Sequence, residues 1–394
     1  MKRFCSIFSQ LLELFPRVEF EQAVREHKAE RHSRGFSSWT QFVAMLFCQL
    51  GRAHSLREIC GGLASCEGKL KHLGVVKSPK KSTLAYANEH RPWLLYQSVF
   101  QQMFGKAQAL VAEQGGKKKF RFKNKLVSLD SSVIDLCLSL YDWAKFRRTK
   151  GAVKLHLLLD HDGYLPAFAV VTDGKQSDIK VARQLRFEAG TVVVVDRGYN
   201  DYQWFVELGR QGVFFVTRLK DNAVYEVVEK RTVPQNRHVT ADEVIFFPSL
   251  AEARDEYFFR RVEIWDDAKQ ESIVFLTNHQ TFGATTIAAI YKDRWQVELF
   301  FKAIKQSLKI KTFLGTTANA VHTQIWTALI AMLVIKYLQL KSSFGWSLSN
   351  LVALLRHQLF VYRDLGAWLN DPFQAPPVLD GLHDDVQLAM AWAH

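Results

Sequence analysis

The sequence predicts an α/β fold: a mixed sheet that carries a β-strand insertion domain and follows a helical N-terminal domain. Three observations predict it. Residues 1–110 space their apolar side chains as helices do and show no strand-like alternation. From residue 126 onward, runs rich in β-branched and aromatic residues alternate with helical segments. Four more strand-like runs then crowd into residues 220–280 before helical spacing returns. At 394 residues, 48% hydrophobic and 23% charged, the chain has an ordinary globular composition with room for two or three domains.

The helical domain spans residues 1–112. "FSSWTQFVAMLFCQL" and "TLAYANEHRPWLLYQSVFQQMF" repeat apolar residues at intervals that lay one stripe along a helix. Between them, "SLREICGGL" and "SPKKSTLAYANEH" read as a helix, a turn region and a second helix capped by Ser82. That order is compatible with a helix-turn-helix DNA reader, and with many other helical bundles. The net charge of +13 is concentrated here. Residues 1–125 hold 22 Lys and Arg against 9 Glu and no Asp, whereas residues 126–394 hold 30 basic against 30 acidic. A basic module joined to a neutral one suggests nucleic-acid binding joined to another activity; a merely soluble basic surface is the alternative. Residues 113–125, "EQGGKKKFRFKNK", form a basic linker. In it Lys117, Lys118, Lys119 and Arg121 would position phosphates while Phe120 and Phe122 stack on bases. A solvated connector has the same composition.

The sheet begins in residues 126–219. "KLVSLDSSVIDL", "AVKLHLLLD" and "LPAFAVVTDG" read as three meandering strands, the second and third joined at "DHDG". A helix over "DIKVARQLRF", a strand "TVVVVDRGY", a helix "NDYQWFVELGRQ" and a strand "GVFFVTRL" follow. Residues 220–280 form the strand insertion, residues 281–340 return to the core, and residues 341–394 form a helical C-terminal region. His156, alternating with apolar residues on its strand, reads as structural.

Five cysteines without a CxxC pair argue against a disulfide framework or a zinc site and favour a reducing compartment. The N-terminus does not resemble a cleavable signal. The longest apolar run, "IWTALIAMLVI", has 11 residues, about half of a bilayer span, and reads as part of a buried helix over residues 323–340. No membrane association is expected, and the cytoplasm is the default location.

Three acidic residues sit where chemistry would want them. Asp130 lies within the first strand, Asp196 ends the fourth after four valines, and Glu298 lies in "YKDRWQVELFFKAIKQSLKI". At about 3.6 residues per turn, that last stretch gathers Arg294, Lys302, Lys305 and Lys309 around Glu298, beside an apolar stripe. Each carboxylate alone has an ordinary reading. Asp130 would cap a turn, Asp196 would pair with Arg197, and Glu298 would pair with Arg294 or Lys302. Together they form a cluster of hard oxygen ligands that suits Mg²⁺ or Mn²⁺, with cations gripping a phosphate backbone on the same face. Two metal ions so held suit phosphodiester displacement.

"LDSS", "VDRGY" and the spacing Tyr291–Arg294–Glu298–Lys305 resemble the DDE transposases of the IS-four insertion-sequence family. The resemblance implies an RNase H-like catalytic core interrupted after its fifth strand by the β-strand insertion domain. It implies Asp130, Asp196 and Glu298 as the metal-binding triad, Arg294 and Lys305 as phosphate contacts, and Tyr291 assisting at the DNA end. In that family an insertion-domain tryptophan stacks on a flipped base; Trp265 is the tryptophan of residues 220–280, and sheet packing is its other reading. Lys302 joins the DNA contacts by position. The implied reaction is cut-and-paste excision: water nicks the element end, the 3′-hydroxyl closes a hairpin, water reopens it, and the end joins target DNA. The implied partners are the terminal inverted repeats and target DNA, with a homodimer on paired ends, in a bacterial, nucleoid-associated setting. Two alternatives are a catalytically silent DNA-binding descendant and a stand-alone RNase H-like nuclease or resolvase.

Overall fold

The computed structural model describes residues 5–373 apart from 32, 34, 67, 116–118, 138, 148–149, 234–237, 254–257, 309 and 311. Lys117, Lys118 and Lys309 therefore lie outside the described residues, as does the chain beyond residue 373. Among the described residues, ten strands form one sheet. They are β1 (Leu126–Leu136), β2 (Lys145–Arg147), β3 (Lys150–Asp160), β4 (Leu165–Asp173) and β5 (Val192–Val194). β6 (Phe214–Arg218), β7 (Glu226–Lys230), β8 (Val239–Phe246), β9 (Phe259–Asp266) and β10 (Glu271–Thr277) complete it.

The order is β2-β3-β1-β5-β6-β10-β9-β8-β7, with β4 also on β3. β4, β3 and β1 are an antiparallel meander, whereas β5 and β6 run parallel to β1. Parallel neighbours need crossovers, and the segments bearing the helices Asp178–Ala182 and Tyr202–Arg210 supply them. This is an RNase H-like core. The strands of residues 220–280 do not form a separate sheet. β7 to β10 are an antiparallel meander that continues the core sheet, because β10 pairs with β6 from Phe275 opposite Arg218 to Thr277 opposite Val216.

Alternation assigns the two faces of β1. Val127 and Leu129 enter a core with Val193, Val195, Phe205 and Phe215, under the Tyr202–Arg210 helix. Leu126, Ser128, Asp130, Ser132 and Ile134 therefore point to the opposite face. There Leu126 packs with Val192 and Val194 against Ile287 and Ile290. Farther along, Ile134 and Leu136 join the largest core, which also holds the N-terminal helices and residues 297–369.

That largest core is organised by one helix, Ala318–Lys341, longer than the 323–340 read from sequence. It is apolar all round and contacts the helices Ser38–Gly51, Lys81–His90, Leu94–Glu113 and Leu348–Gln358 together with β4. By length and composition alone it would cross a membrane, but its apolar surface is enclosed by these elements. The helices of residues 1–112 thus share their core with the C-terminal half. Phe42, Tyr96 and Phe100 belong to the same cluster as Trp326, Leu351 and Trp368.

Several helix boundaries differ from the sequence reading. The Lys81–His90 helix has Lys80 at its N-cap, so Ser82 lies in its first turn and is not the cap. Residues 65–80, including a 3₁₀ turn at Leu70–Leu73, separate it from the Leu56–Ala64 helix, far longer than the turn of about three or four residues in a simple helix-turn-helix. The helix after β4 stops at Ala182, where the Arg183 guanidinium turns to pair with Asp201 and Glu207. The stretch 291–310 is two helices, Ala284–Asp293 and Trp295–Ser307, tightened at Arg294 by its N–H donating to the Tyr291 carbonyl at 3.1 Å.

Trp326 is 2% exposed, stacks on Trp93 and takes the edge of Phe100. Trp326→Ala is expected to cost about 3–5 kcal/mol in urea unfolding. A loss well under that would mean the N-terminal helices pack only loosely on the rest.

Candidate active site

The sheet register brings the two aspartates together. Ser128 of β1 pairs with Val194 of β5 in parallel register, so Asp130 and Asp196, each two residues on, lie side by side on one face. Adjacent strands run about 4.8 Å apart. Asp196 emerges where β5 ends, and its Oδ1 accepts the Gly198 N–H at 2.9 Å, opening the 3₁₀ turn Arg197–Tyr199. A Cβ on Gly198 would meet Asp196 Oδ1 at 3.0 Å, so any larger residue there would have to push the carboxylate aside by a few tenths of an ångström. Asp196 therefore caps its own turn instead of pairing with Arg197, whose guanidinium lies 3.6 Å from Asp221.

Glu298 reaches the same cluster from the Trp295–Ser307 helix, through Arg294. The Arg294 Nη2 donates to Glu298 Oε1 at 2.6 Å, and Nη1 donates to Asp130 Oδ2 at 3.2 Å. One guanidinium thus spans two of the three carboxylates while only 12% exposed. Burial works against its charge, but Tyr291, Glu298 and Asp130 outweigh that and raise its pKa. Asp130 moves the other way. Burial, reinforced by Asp196 and Glu298, pushes its carboxyl up to about 6 against the Ser131 N–H and Arg294.

The other described cations of this helix, Lys305 and Lys302, divide between its two flanks. Lys305 donates to Ser132 Oγ at 2.6 Å and to the Val133 carbonyl at 2.9 Å, on β1. Lys302 is exposed on the other flank, where it lines a cavity between this helix and the Ala318–Lys341 helix. Tyr291 is half-buried, its ring 5.4 Å from Phe275 and 5.4 Å from the Arg294 guanidinium. Trp265, partly buried on β9, shares with Tyr291, Arg294, Arg218 and Trp295 a cleft of about 690 Å³. Trp295 is 56% exposed there, and sequence reasoning had not singled it out.

In the linker, Lys119 donates to Asp293 Oδ1 at 2.6 Å, and Arg121 is exposed. Phe120 stacks on Phe122, which stacks on Phe282. These rings are packed against the protein, so the expectation that they offer faces to bases does not hold.

Sequence reasoning also missed a buried chain of polar groups. His161 Nδ1 meets Asp293 Oδ2 at 2.6 Å, and its Nε2 meets Ser128 Oγ at 2.7 Å. Tyr164 adds its hydroxyl to Asp293 at 3.2 Å. The connectivity is that of a Ser-His-Asp triad, yet Ser128 is fully buried and no substrate reaches it. Burial would raise the Asp293 pKa, but the hydrogen bonds from His161 and Lys119 hold it below the ordinary range. The network fixes the start of the Trp295–Ser307 helix against β1. His161 and Asp293 are far apart in sequence, so no spacing announced them. His156 is structural: buried, bonded to Thr172 Oγ1 at 2.9 Å, and kept neutral by burial that lowers its pKa to about 4.

The three carboxylates are the donor type a hard divalent cation takes, and burial holds the Asp130 proton to about pH 6 even beside Arg294. Among the described residues no three acidic, His or Cys groups are drawn together closely enough to form a finished ligand shell.

Two outcomes are expected from this geometry. Gly198→Ala should displace the Asp196 carboxylate and weaken Mn²⁺ binding about tenfold (about 1.4 kcal/mol) in a calorimetric titration, with little change in melting temperature; unchanged binding would show the turn to be slack. Because Asp130 binds its proton more tightly when folded than its ordinary value of about 4, its stability contribution is full below that pH and is lost as pH rises through about 6. Asp130→Asn should therefore leave the protein at least as stable as wild type in EDTA at pH 7.5, with the gap closing below about pH 4. Clear destabilisation at pH 7.5 in urea melts would contradict the sign.

A family model described as "Transposase DDE domain" matches residues 121–334, and a domain of unknown function, DUF4372, matches residues 5–76. The chain is 30% identical to y4zB of Sinorhizobium fredii, a protein named as a transposase, over 83% of this chain and 89% of that one. It is 33% identical to a protein of Geobacillus stearothermophilus named as the transposase for insertion sequence element IS5377, over 59% of this chain and 62% of that one. Among solved structures, a piggyBac transposase synaptic complex with hairpin DNA covers 96% of this chain and 86% of that one, at 10% identity and a TM-score of 0.46, a distant likeness.

Proposed function

The chain belongs to the DDE transposases, of the IS4 type, and from that premise we propose that Asp130, Asp196 and Glu298 form its metal-binding triad and that excision passes through a DNA hairpin. The observation that carries the reading is the convergence of the three carboxylates on one face, with Arg294 bridging two of them. The family depends on divalent metal. Two Mg²⁺ ions, replaceable by Mn²⁺, would supply Lewis acidity to the attacking and leaving oxygens of each displacement.

The chain's own residues do the rest. Asp130 and Asp196 hold fixed positions because the parallel β1–β5 register sets them. Glu298 is the adjustable member, 35% exposed on a helix and held by one side chain. Arg294, which bonds Asp130 and Glu298, would pair with a phosphate beside the scissile bond if those carboxylates held a metal. Lys305, anchored to Ser132 and Val133, holds a second phosphate in line with β1. Tyr291 orients the strand end at the mouth of the cleft, where Trp265 offers a ring to a displaced base. Lys302, Lys119, Arg121 and the linker residues Lys117 and Lys118 extend the cationic track, and the basic helices of residues 1–112 grip the terminal inverted repeats. Two element ends are paired by a homodimer in the cytoplasm, at the nucleoid.

Glu298→Gln separates this reading from a plain ion pair. It removes a negative charge from the DNA face, so DNA binding in EDTA should be equal or tighter, while cleavage of a native element end in Mg²⁺ disappears. Lys305→Ala should slow cleavage and weaken end binding, with about 1 kcal/mol lost from stability for the β1 contacts. An ordinary surface ion pair predicts instead about 0–1 kcal/mol lost and full activity. An active Glu298→Gln protein would remove Glu298 from the triad. A hairpin product on the linear element end supports the proposed route, and free nicked ends without hairpins refute it.

A further inference from the structure

Lys336 is out of place on its helix. Residues 325–335 before it are buried apolar side chains but for Thr327, and the helix is the centre of the largest core. Its ammonium meets the Gln339 side-chain oxygen at 3.2 Å and lies 5.8 Å from the Tyr164 ring; no carboxylate is within ion-pair distance among the described residues. Burial lowers its pKa to about 8, so it remains mostly charged at neutral pH. A half-buried cation without a carboxylate destabilises the fold, and an apolar side chain of the same length would pack there at lower cost. Packing alone gives no reason for a lysine.

The ammonium lines a cavity of about 1050 Å³ between the Trp295–Ser307 helix, the Ala318–Lys341 helix and the β3–β4 turn. Lys119 and Lys302 line it too, and Lys302 has no ion-pair partner among the described residues. Asp162 at the turn is a carboxylate of the lining, and the nearby Asp293 is already satisfied by Lys119, His161 and Tyr164. The balance is cationic. The cavity lies on the far flank of the Glu298 helix, and Lys302, one helical turn beyond Glu298, stands between it and the carboxylates.

We propose that this cavity is a phosphate-binding subsite in which Lys336 and Lys302 seat the DNA strand that continues past the scissile phosphate. The proposal rests on the transposase reading and adds to it a second backbone contact, behind the Glu298 helix. Phosphodiester is the favoured source of the anion because Lys302 stands between the cavity and the carboxylates, so one polyanionic strand can span both; a free phosphate is the competing source.

The test uses the full-length protein, a short 5′-phosphorylated duplex of the element end, and inorganic phosphate. Lys336→Met keeps length and apolar volume. It is expected to leave the melting temperature equal or higher, weaken duplex affinity about tenfold, and reduce the dependence of log affinity on log salt by about one. Lys302→Ala, at an exposed position that does not endanger folding, should reduce the same slope by a similar amount. Unchanged affinity and slope in both variants, with wild type still cleaving the duplex, would overturn the subsite and leave the transposase reading standing. Thermal stabilisation by inorganic phosphate that Lys336→Met abolishes, with duplex affinity unchanged, would assign the cavity to a free anion and overturn the strand assignment. A wild-type protein that neither binds nor cleaves the duplex would remove the reading beneath both.

Discussion

Everything at the active face depends on how the Arg294 guanidinium is placed. It bonds Asp130 on the central strand and Glu298 on the helix, and so fixes the distance between the two elements that carry these carboxylates. The contact belongs to a series. Three successive residues on that face of β1 are each held from the helix side: Ser128 through His161 to Asp293, Asp130 by Arg294, and Ser132 by Lys305. Strand alternation sets their spacing, and the tightened turn at Arg294 lets residues 293 and 294 serve neighbouring positions. The helix is thereby fastened to the strand by polar contacts where an apolar interface would leave no charge for catalysis.

Such a face opposes stability. Asp130 resists ionisation, and Arg294 and Asp293 keep their charges only because partners outweigh their burial. The opposing contribution comes from elsewhere in the chain. The Ala318–Lys341 helix is buried on all sides by the N-terminal helices, the C-terminal helices and the meander. The continuous core around it holds the base of the Trp295–Ser307 helix through Val297, Phe300, Phe301 and Ile304. The helix that presents Glu298 is therefore rigid on its apolar side and adjustable only at its polar edge.

Much of this was legible in the sequence because it is written in short range. The strand cores at "VVVV" and "LHLLL" follow from β-branched and alternating residues. The aspartate before Arg197 and Gly198 also announced itself, since a carboxylate ending a buried strand needs a specific partner. Its partner is the local Gly198 N–H. Other readings failed where local signals were overruled. Ser82 is a good capping residue, yet the N-cap falls two residues earlier, at Lys80, on a helix that packs against the core helix. Phe120 and Phe122 looked available to bases, but Phe282 covers Phe122.

The sequence by itself singled out the residues proposed to carry chemistry, the three carboxylates, Arg294 and Lys305, and the strands and helix that bear them. It singled these out because each depends on a period of two or about 3.6 residues, or on a neighbour a few positions away. Only the tertiary structure decided what those residues touch. The pairing of β10 with β6 made the strand-rich segment part of the core sheet. The parallel register set Asp130 beside Asp196. The fold joined His161 to Asp293 and divided the lysines of one helix between β1 and a cavity on the other flank. The reason is physical: a helix fixes the direction in which a charge leaves its axis, but the partner it meets is chosen by what the rest of the chain packs alongside.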